Sequence, residues 1–366
     1  MNFLSIIQKK YKVISLNLIF YIFIALIALS ILVFFHELGH YTVAKFFGVK
    51  VERFSIGFGK VLFRKNWLDT EWAFAPILLG GYVKMKGQDD INPLERSSDP
   101  DSYNSKKPWQ RILILLAGPF ANILLAFFIY FGISLYGIPT AKKHVQAVVG
   151  EVAKDYPAYK AGFKSGDKIL YINKYKISDW KDVSKAIQES NTPLNIKVLR
   201  ENKEINLTLN PTIKNGKKII GIGVDRDSLF EYKSLSFFEA IKSAYRKTKD
   251  ATFMISKGVG QVATGEVDSK NIGGAITIFD LIIKMAKEGF VFLLSMMAII
   301  SVNLGVLNLL PIPALDGGHI VFNLYELITK RAPSEKILYS LTLAGWVFLI
   351  GLMFFGLYND VNRIWG

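Results

Sequence analysis

Two histidines four positions apart flank an acidic residue in the run His36-Glu37-Leu38-Gly39-His40. On a helix, side chains at i and i+4 leave from one face, so both imidazoles can reach a single divalent cation. Glu37 sits beside them, where it can take a proton from an attacking water. That is the chemistry of metal-assisted hydrolysis, with zinc as the expected ion. The chain has four histidines and no cysteine, so thiolate metal sites are excluded and half of the imidazoles lie in this run. The bland alternative is a polar pair at a helix end facing water. The apolar run before the motif weighs against it, because ionisable groups are costly there and usually functional. A catalytic zinc takes three protein ligands, and no third histidine follows on the same helix. Asp316, in the run Asn308-Leu309-Leu310-Pro311-Ile312-Pro313-Ala314-Leu315-Asp316-Gly317-Gly318, is the obvious further donor. Its alternative is a turn residue, and the two are compatible, since the glycines let the chain turn at the metal. His144 and His319 read as non-ligating, with His319 near enough to Asp316 to support it from outside the metal's own ligands.

The elements that must position these residues are membrane spans. Hydrophobic residues make up 51% of the 366, and the mean hydropathy is +0.28, high for a soluble globular chain. Four segments free of charged residues are long enough to span: 13–35, 112–141, 289–315 and 337–358. The first is longer than a signal-peptide core and runs straight into His36, so it reads as retained. The net charge of +15 would suit nucleic acid in a soluble protein, but no aromatic-basic module accompanies it, and no nucleic-acid partner is expected. In a membrane protein the same charge gathers beside headgroups. Basic residues cluster between the first two spans, from Lys45 to Arg111, and again at Lys330, Arg331 and Lys336. Those loops share a side, which the positive-inside rule makes cytoplasmic, leaving 142–288 extracytoplasmic. Lys9, Lys10 and Lys12 pull the other way.

Between the second and third spans, alternating stretches at 195–200 and 205–210 read as strands, with turn signals at Gly162, Ser165-Gly166-Asp167 and Asn215-Gly216 and a short helix over 182–189. This is a compact α+β insert over 142–228. From Ser234 to Met254, apolar Phe237, Phe238, Ile241, Ala244, Tyr245 and Phe253 interleave with basic residues, a pattern that suits an amphipathic helix at the membrane surface.

Within 150–180, Pro157-Ala158, Ala161-Gly162, Gly166-Asp167 and Asn173 make the insert similar to a PDZ domain of bacterial periplasmic proteases. Such domains hold extended peptides at a sheet edge, often by a terminal carboxylate; the alternative is a domain that only filters by size. The paired His36–His40 and Leu315-Asp316-Gly317 motifs resemble the site-2 protease family of intramembrane metalloproteases, most closely its bacterial RseP type. The likeness covers nearly the whole chain, with 54–59 and 80–85 similar to that type's membrane-associated β segment and Gly118-Pro119-Phe120-Ala121-Asn122 similar to its second-span motif.

The resemblance implies zinc ligation by His36, His40 and Asp316, with Glu37 as general base and Asn303 and Asn308 beside the substrate backbone. It also implies clients that are single-span membrane proteins, such as trimmed anti-sigma factors or remnant signal peptides, in a bacterial inner membrane. The expected fold is a polytopic α-helical membrane protein of about four transmembrane helices, with a membrane-associated β-rich segment and an inserted α+β PDZ-like domain. Its parts are 1–50 (first span and zinc motif), 51–108 (β segment), 109–141 (second span), 142–228 (PDZ-like), 229–270 (interfacial helix), 271–330 (third span and Asp-Gly-Gly) and 331–366 (fourth span). Two features depart from the family pattern: a single PDZ-like domain, and Gly273-Gly274-Ala275-Ile276 where Gly-Pro-Ile is usual. A membrane scaffold without enzymatic activity would be expected to lack Glu37 or a metal ligand. A metal transporter would need more intramembrane ligands than one cluster.

Overall fold

The computed structural model describes residues 16–88, 97–214, 216–225, 228–268, 270 and 273–365. The start of the first expected span, Lys9, Lys10, Lys12 and Asn215 lie outside them. In chain order the elements are α1 (Leu16–Phe46), β1 (Val51–Phe58), β2 (Phe63–Trp67), β3 (Thr70–Phe74), β4 (Ile77–Met85), α2 (Pro108–Tyr136), β5 (Ile138–Ala141), β6 (Val149–Val152), α3 (Pro157–Lys160), β7 (Lys168–Ile172), β8 (Tyr175–Lys176), α4 (Trp180–Glu189), β9 (Leu194–Arg200), β10 (Lys203–Leu209), β11 (Thr212–Lys214), β12 (Lys217–Ile219), β13 (Ile222–Val224), β14 (Phe230–Lys233), α5 (Phe237–Ala263), α6 (Ala275–Glu288), α7 (Phe290–Asn308), α8 (Asp316–Thr329) and α9 (Glu335–Trp365). They form two compact units, one of Met1–Ser134 with Ser236–Gly366, the other Leu135–Leu235.

In the first unit, α1, α2, α7 and α9 are long and apolar enough to cross a bilayer. Large apolar side chains on their outer faces stay exposed, among them Phe20 and Phe23 on α1, Phe120 and Phe128 on α2, and Val347 and Phe348 on α9. Lipid is the solvent that makes such faces favourable, and the chain is a multi-pass membrane protein. Inside, Ala25, Ala28 and Leu32 of α1 pack on Ile282 of α6 and Met297 of α7. A second cluster joins Ala126, Tyr130 and Ile133 of α2 to Ala244 and Ala251 of α5 and Val302 of α7. The four strands form one sheet in the order β2-β3-β1-β4, with β1 parallel to β3 and antiparallel to β4. Its β1 side chain Phe54, fully buried, packs with Tyr41 of α1, so the sheet rests against the helix that carries the two histidines.

The structure redraws several expected boundaries. Helix α1 continues to Phe46, which places His36 and His40 within the helix rather than at its end. The stretch 271–330 holds three helices, α6, α7 and α8. The helix of the third expected span stops at Asn308, because Pro311 and Pro313 lack the N–H groups that would continue it, and a new helix starts at Asp316. On α5 the expected apolar face is split. The small side chains Ala240, Ser243, Ala244, Thr248 and Ala251 are buried, and the large ones, Phe238, Tyr245 and Phe253, are exposed. Close helix packing selects small residues, which a search for large apolar ones overlooks.

The second unit is a small α+β domain. Strands β10-β9-β7-β8 form an antiparallel sheet, β6 pairs with β13, and β11 with β12. Ile169, Ile172, Leu194, Ile196 and Val198 make its core with Val183 and Ile187 of α4. Asp179 caps α4, accepting from Lys181 N at 3.0 Å. The unit runs beyond 142–228 at both ends because β5 and β14 pair with each other, Phe230 opposite Ala141 and Lys233 opposite Ile138.

Candidate metal centre

Helix α1 supplies His36 and His40 one turn apart, their rings edge to face and their Nε2 atoms 3.1 Å from each other. Helix α8 supplies Asp316 from its first turn; its Oδ2 lies 3.2 Å from His36 Nε2 and 3.4 Å from His40 Nε2. Both histidines are buried. The three residues that sequence spacing and motif brought forward thus converge on one point.

Whether that point suits a metal is decided by where the protons are. His40 Nδ1 lies 2.8 Å from the carbonyl oxygen of Ile114 on α2, which can only accept. Nδ1 therefore carries the hydrogen of the neutral ring, and Nε2 presents a lone pair to the centre. Asp316 Oδ2 is buried and has no hydrogen-bond partner among the described residues. The His40 Nε2 lone pair and the Asp316 carboxylate, facing each other in a buried site, repel unless a positive charge sits between them. Four ligands at about 2.0–2.1 Å from a tetrahedral zinc lie about 3.3 Å apart. The observed separations of 3.1, 3.2 and 3.4 Å match that edge. His36, His40 and Asp316 fit a zinc ion and leave a fourth position for water or substrate.

The surrounding packing holds this geometry. Gly118 of α2 faces the His40 ring so closely that a Cβ there would overlap Nε2, Cε1 and Cδ2. Arg111, at the start of α2, pairs with Glu326 of α8 at 2.6 Å, tying together the helices that carry Ile114 and Asp316. Gly317 and Gly318 do not form the turn expected of them. They lie inside α8, where a Cβ would strike the carbonyls of Leu309, Leu310 and Ile312, so they serve close approach.

A cavity of about 240 Å³ opens beside the three donors, lined also by Glu37, Asn308, His319 and the β4 side chains Val83 and Met85. Asn308 Nδ2 is 3.4 Å from His36 Nε2. Asn303 is half-buried on the same helix and is not among the residues lining this cavity. His144 lies in the other unit, 3.5 Å from Asp179. Sequence reasoning gave no role to Ile114, Gly118 or Asn122, although Asn122 Nδ2 lies 3.2 Å from His36 Nδ1. The available signal was a lone amide in an otherwise apolar span.

Residues 24–352 match the model of peptidase family M50. The chain belongs to this family, the site-2 proteases, and is a zinc metalloprotease. A protein of Campylobacter jejuni named as a zinc metalloprotease is 41% identical, with 93% of each chain covered. One from Helicobacter pylori, named likewise, is 35% identical over 93% of this chain and 99% of that one. The regulator of sigma E protease of Haemophilus influenzae is 30% identical over 93% of this chain and 98% of its own length. That last alignment spans 437 positions, more than the 366 residues here, so the Haemophilus protein carries inserted residues that this chain lacks.

Proposed function

We propose that this enzyme hydrolyses peptide bonds in or near the transmembrane segments of single-span membrane proteins. The observation that carries the reading is the tetrahedral spacing of three donor atoms beside Glu37, on helices of membrane-spanning length. His36, His40 and Asp316 hold zinc. When bound, zinc polarises the scissile carbonyl and acidifies water. The Glu37 carboxylate accepts the proton of the attacking water and returns it to the leaving amine, so that water adds across the C–N bond. Asn308 and Asn303 hold the substrate backbone through their amides.

A transmembrane helix hides its carbonyls in internal hydrogen bonds and must unwind before it can be cut. Strand β4 is the edge of its sheet and lines the cavity through Val83 and Met85, which supports capture of the unwound segment as an added strand. Strand β13 of the second unit pairs with β6 alone among the described strands, which supports a PDZ-like role in binding peptide ends, with size exclusion as the alternative. The basic loops favour a bacterial inner membrane with the active site toward the cytoplasm and the second unit outside. Clients by this reading include trimmed anti-sigma factors, in keeping with the name of the Haemophilus relative, and remnant signal peptides.

The test is cleavage of a model single-span substrate in detergent by wild type and Glu37→Gln, with zinc quantified in both. Zinc in both proteins, with cleavage reduced at least about 100-fold in the variant, is the expected result. Equal cleavage by the two, or a zinc-free wild type, would discard the reading.

A further inference from the structure

The two histidines are held in different ways. His40 has its Nδ1 hydrogen fixed by a main-chain carbonyl, Ile114 O at 2.8 Å, which no side-chain substitution removes. The Nδ1 of His36 meets instead a side chain, the amide of Asn122, at 3.2 Å. Asn122 is fully buried, four residues along α2 from Gly118. Its backbone oxygen accepts from Ser301 Oγ of α7 at 2.7 Å, which fixes the amide's base against a second helix. Its Oδ1 has no hydrogen-bond partner among the described residues. A buried amide in an apolar helix, with one end on a metal-site imidazole and the other unpaired, is costly unless that imidazole needs it.

The chemistry of the need is tautomeric. With Nδ2 toward His36, the amide donates to Nδ1, which places the ring hydrogen on Nε2, facing Asp316. A half-turn about Cβ–Cγ exchanges the two ends of the amide with little change of shape. Oδ1 then accepts from Nδ1–H, and the Nε2 lone pair points at the centre, as that of His40 already does.

Resting on the zinc reading above, we infer that Asn122 is a positioning residue that sets the tautomer and ring orientation of His36 for metal binding. It does for His36 what the Ile114 carbonyl does for His40. An acceptor is what the loaded site requires at this position, so Asn122→Asp preserves the function and Asn122→Leu, close in volume, removes it.

The experiment is zinc affinity by chelator competition on the full-length protein in detergent, for wild type, Asn122→Leu and Asn122→Asp, with thermal melting of each in excess chelator to verify folding. The expected result is zinc binding about 10–100-fold weaker in the Leu variant, with the Asp variant at or above wild type. A purely packing role predicts the reverse order, since Leu fills the space and Asp buries a charge. Wild-type affinity in folded Asn122→Leu would overturn the inference while leaving the zinc reading intact. Should the Leu variant fail to fold, the Asp variant decides alone: weakened zinc binding in folded Asn122→Asp would overturn it. A wild type that binds no zinc would overturn both readings, which keeps the two failures distinct.

Discussion

Two carboxylates withdrawn from water, fully buried Asp167 of the second unit and half-buried Asp316 of the first, are treated in opposite ways. In the second unit Asp167 is fully buried and saturated: Arg200 donates to Oδ1 at 2.6 Å and to Oδ2 at 2.7 Å, and Lys164 N donates to Oδ2 at 2.9 Å. In the first unit Asp316 Oδ2 is buried beside two imidazole nitrogens and has no hydrogen-bond partner among the described residues. A bidentate guanidinium and a backbone N–H compensate the first carboxylate, and its role is to hold a fold. The second is left short of donors at a place where an ion can supply the missing charge. Burial alone does not separate a structural acid from a functional one; the count of donors does.

The sharpest way to break this comparison is to make the same substitution in both places. Asp316→Asn should weaken zinc binding more than the 10–100-fold typical of outer partners. Its melting temperature in chelator should hold or rise, because the new amide N–H groups can donate to the facing imidazoles. Zinc retained by Asp316→Asn would sink the contrast. Asp167→Asn should do the reverse, leaving zinc in place while destabilising the second unit by about 3 kcal/mol, since it leaves the Arg200 guanidinium beside a donor instead of a carboxylate. Hydrogen exchange of 147–224 in the full-length protein reads that loss, and unchanged protection there would count against it.

The smallest effect concerns Asp179. Backbone N–H groups of Lys181 and Val145 hold its carboxyl below the ordinary value. Its contribution to stability is therefore complete above the unfolded pKa of about 3.9 and fades as pH falls from there through the lower folded pKa. Asp179→Asn should flatten that acid limb of the second unit's unfolding. An unchanged limb would show that the cap titrates alike folded and unfolded.

The His36–His40 pair was legible because it is local: helical periodicity by itself puts i and i+4 on one face. The four spans were legible because lipid demands long uncharged runs. Asp316 entered as the obvious further donor and through the family motif, and its partners could not be read from spacing. The small-residue stripe of α5 and the separate helices α6 and α8 were not legible, since short helices and small packing residues leave weak periodic signals. Gly118-Pro119-Phe120-Ala121-Asn122 was visible as a motif, but no local rule says which ring Asn122 would meet.

By itself the sequence determined the class of solvent, the number of long apolar spans, two strands of the insert and the chemistry of the metal motif. These depend on composition and on contacts within a few residues. Only the tertiary structure decided that Ile114 O and Asn122 face the two imidazoles, that Gly118 leaves room for His40, and that Asp316 completes a tetrahedral edge. Those facts depend on how α1, α2 and α8 pack, and packing joins residues that no sequence interval brings together.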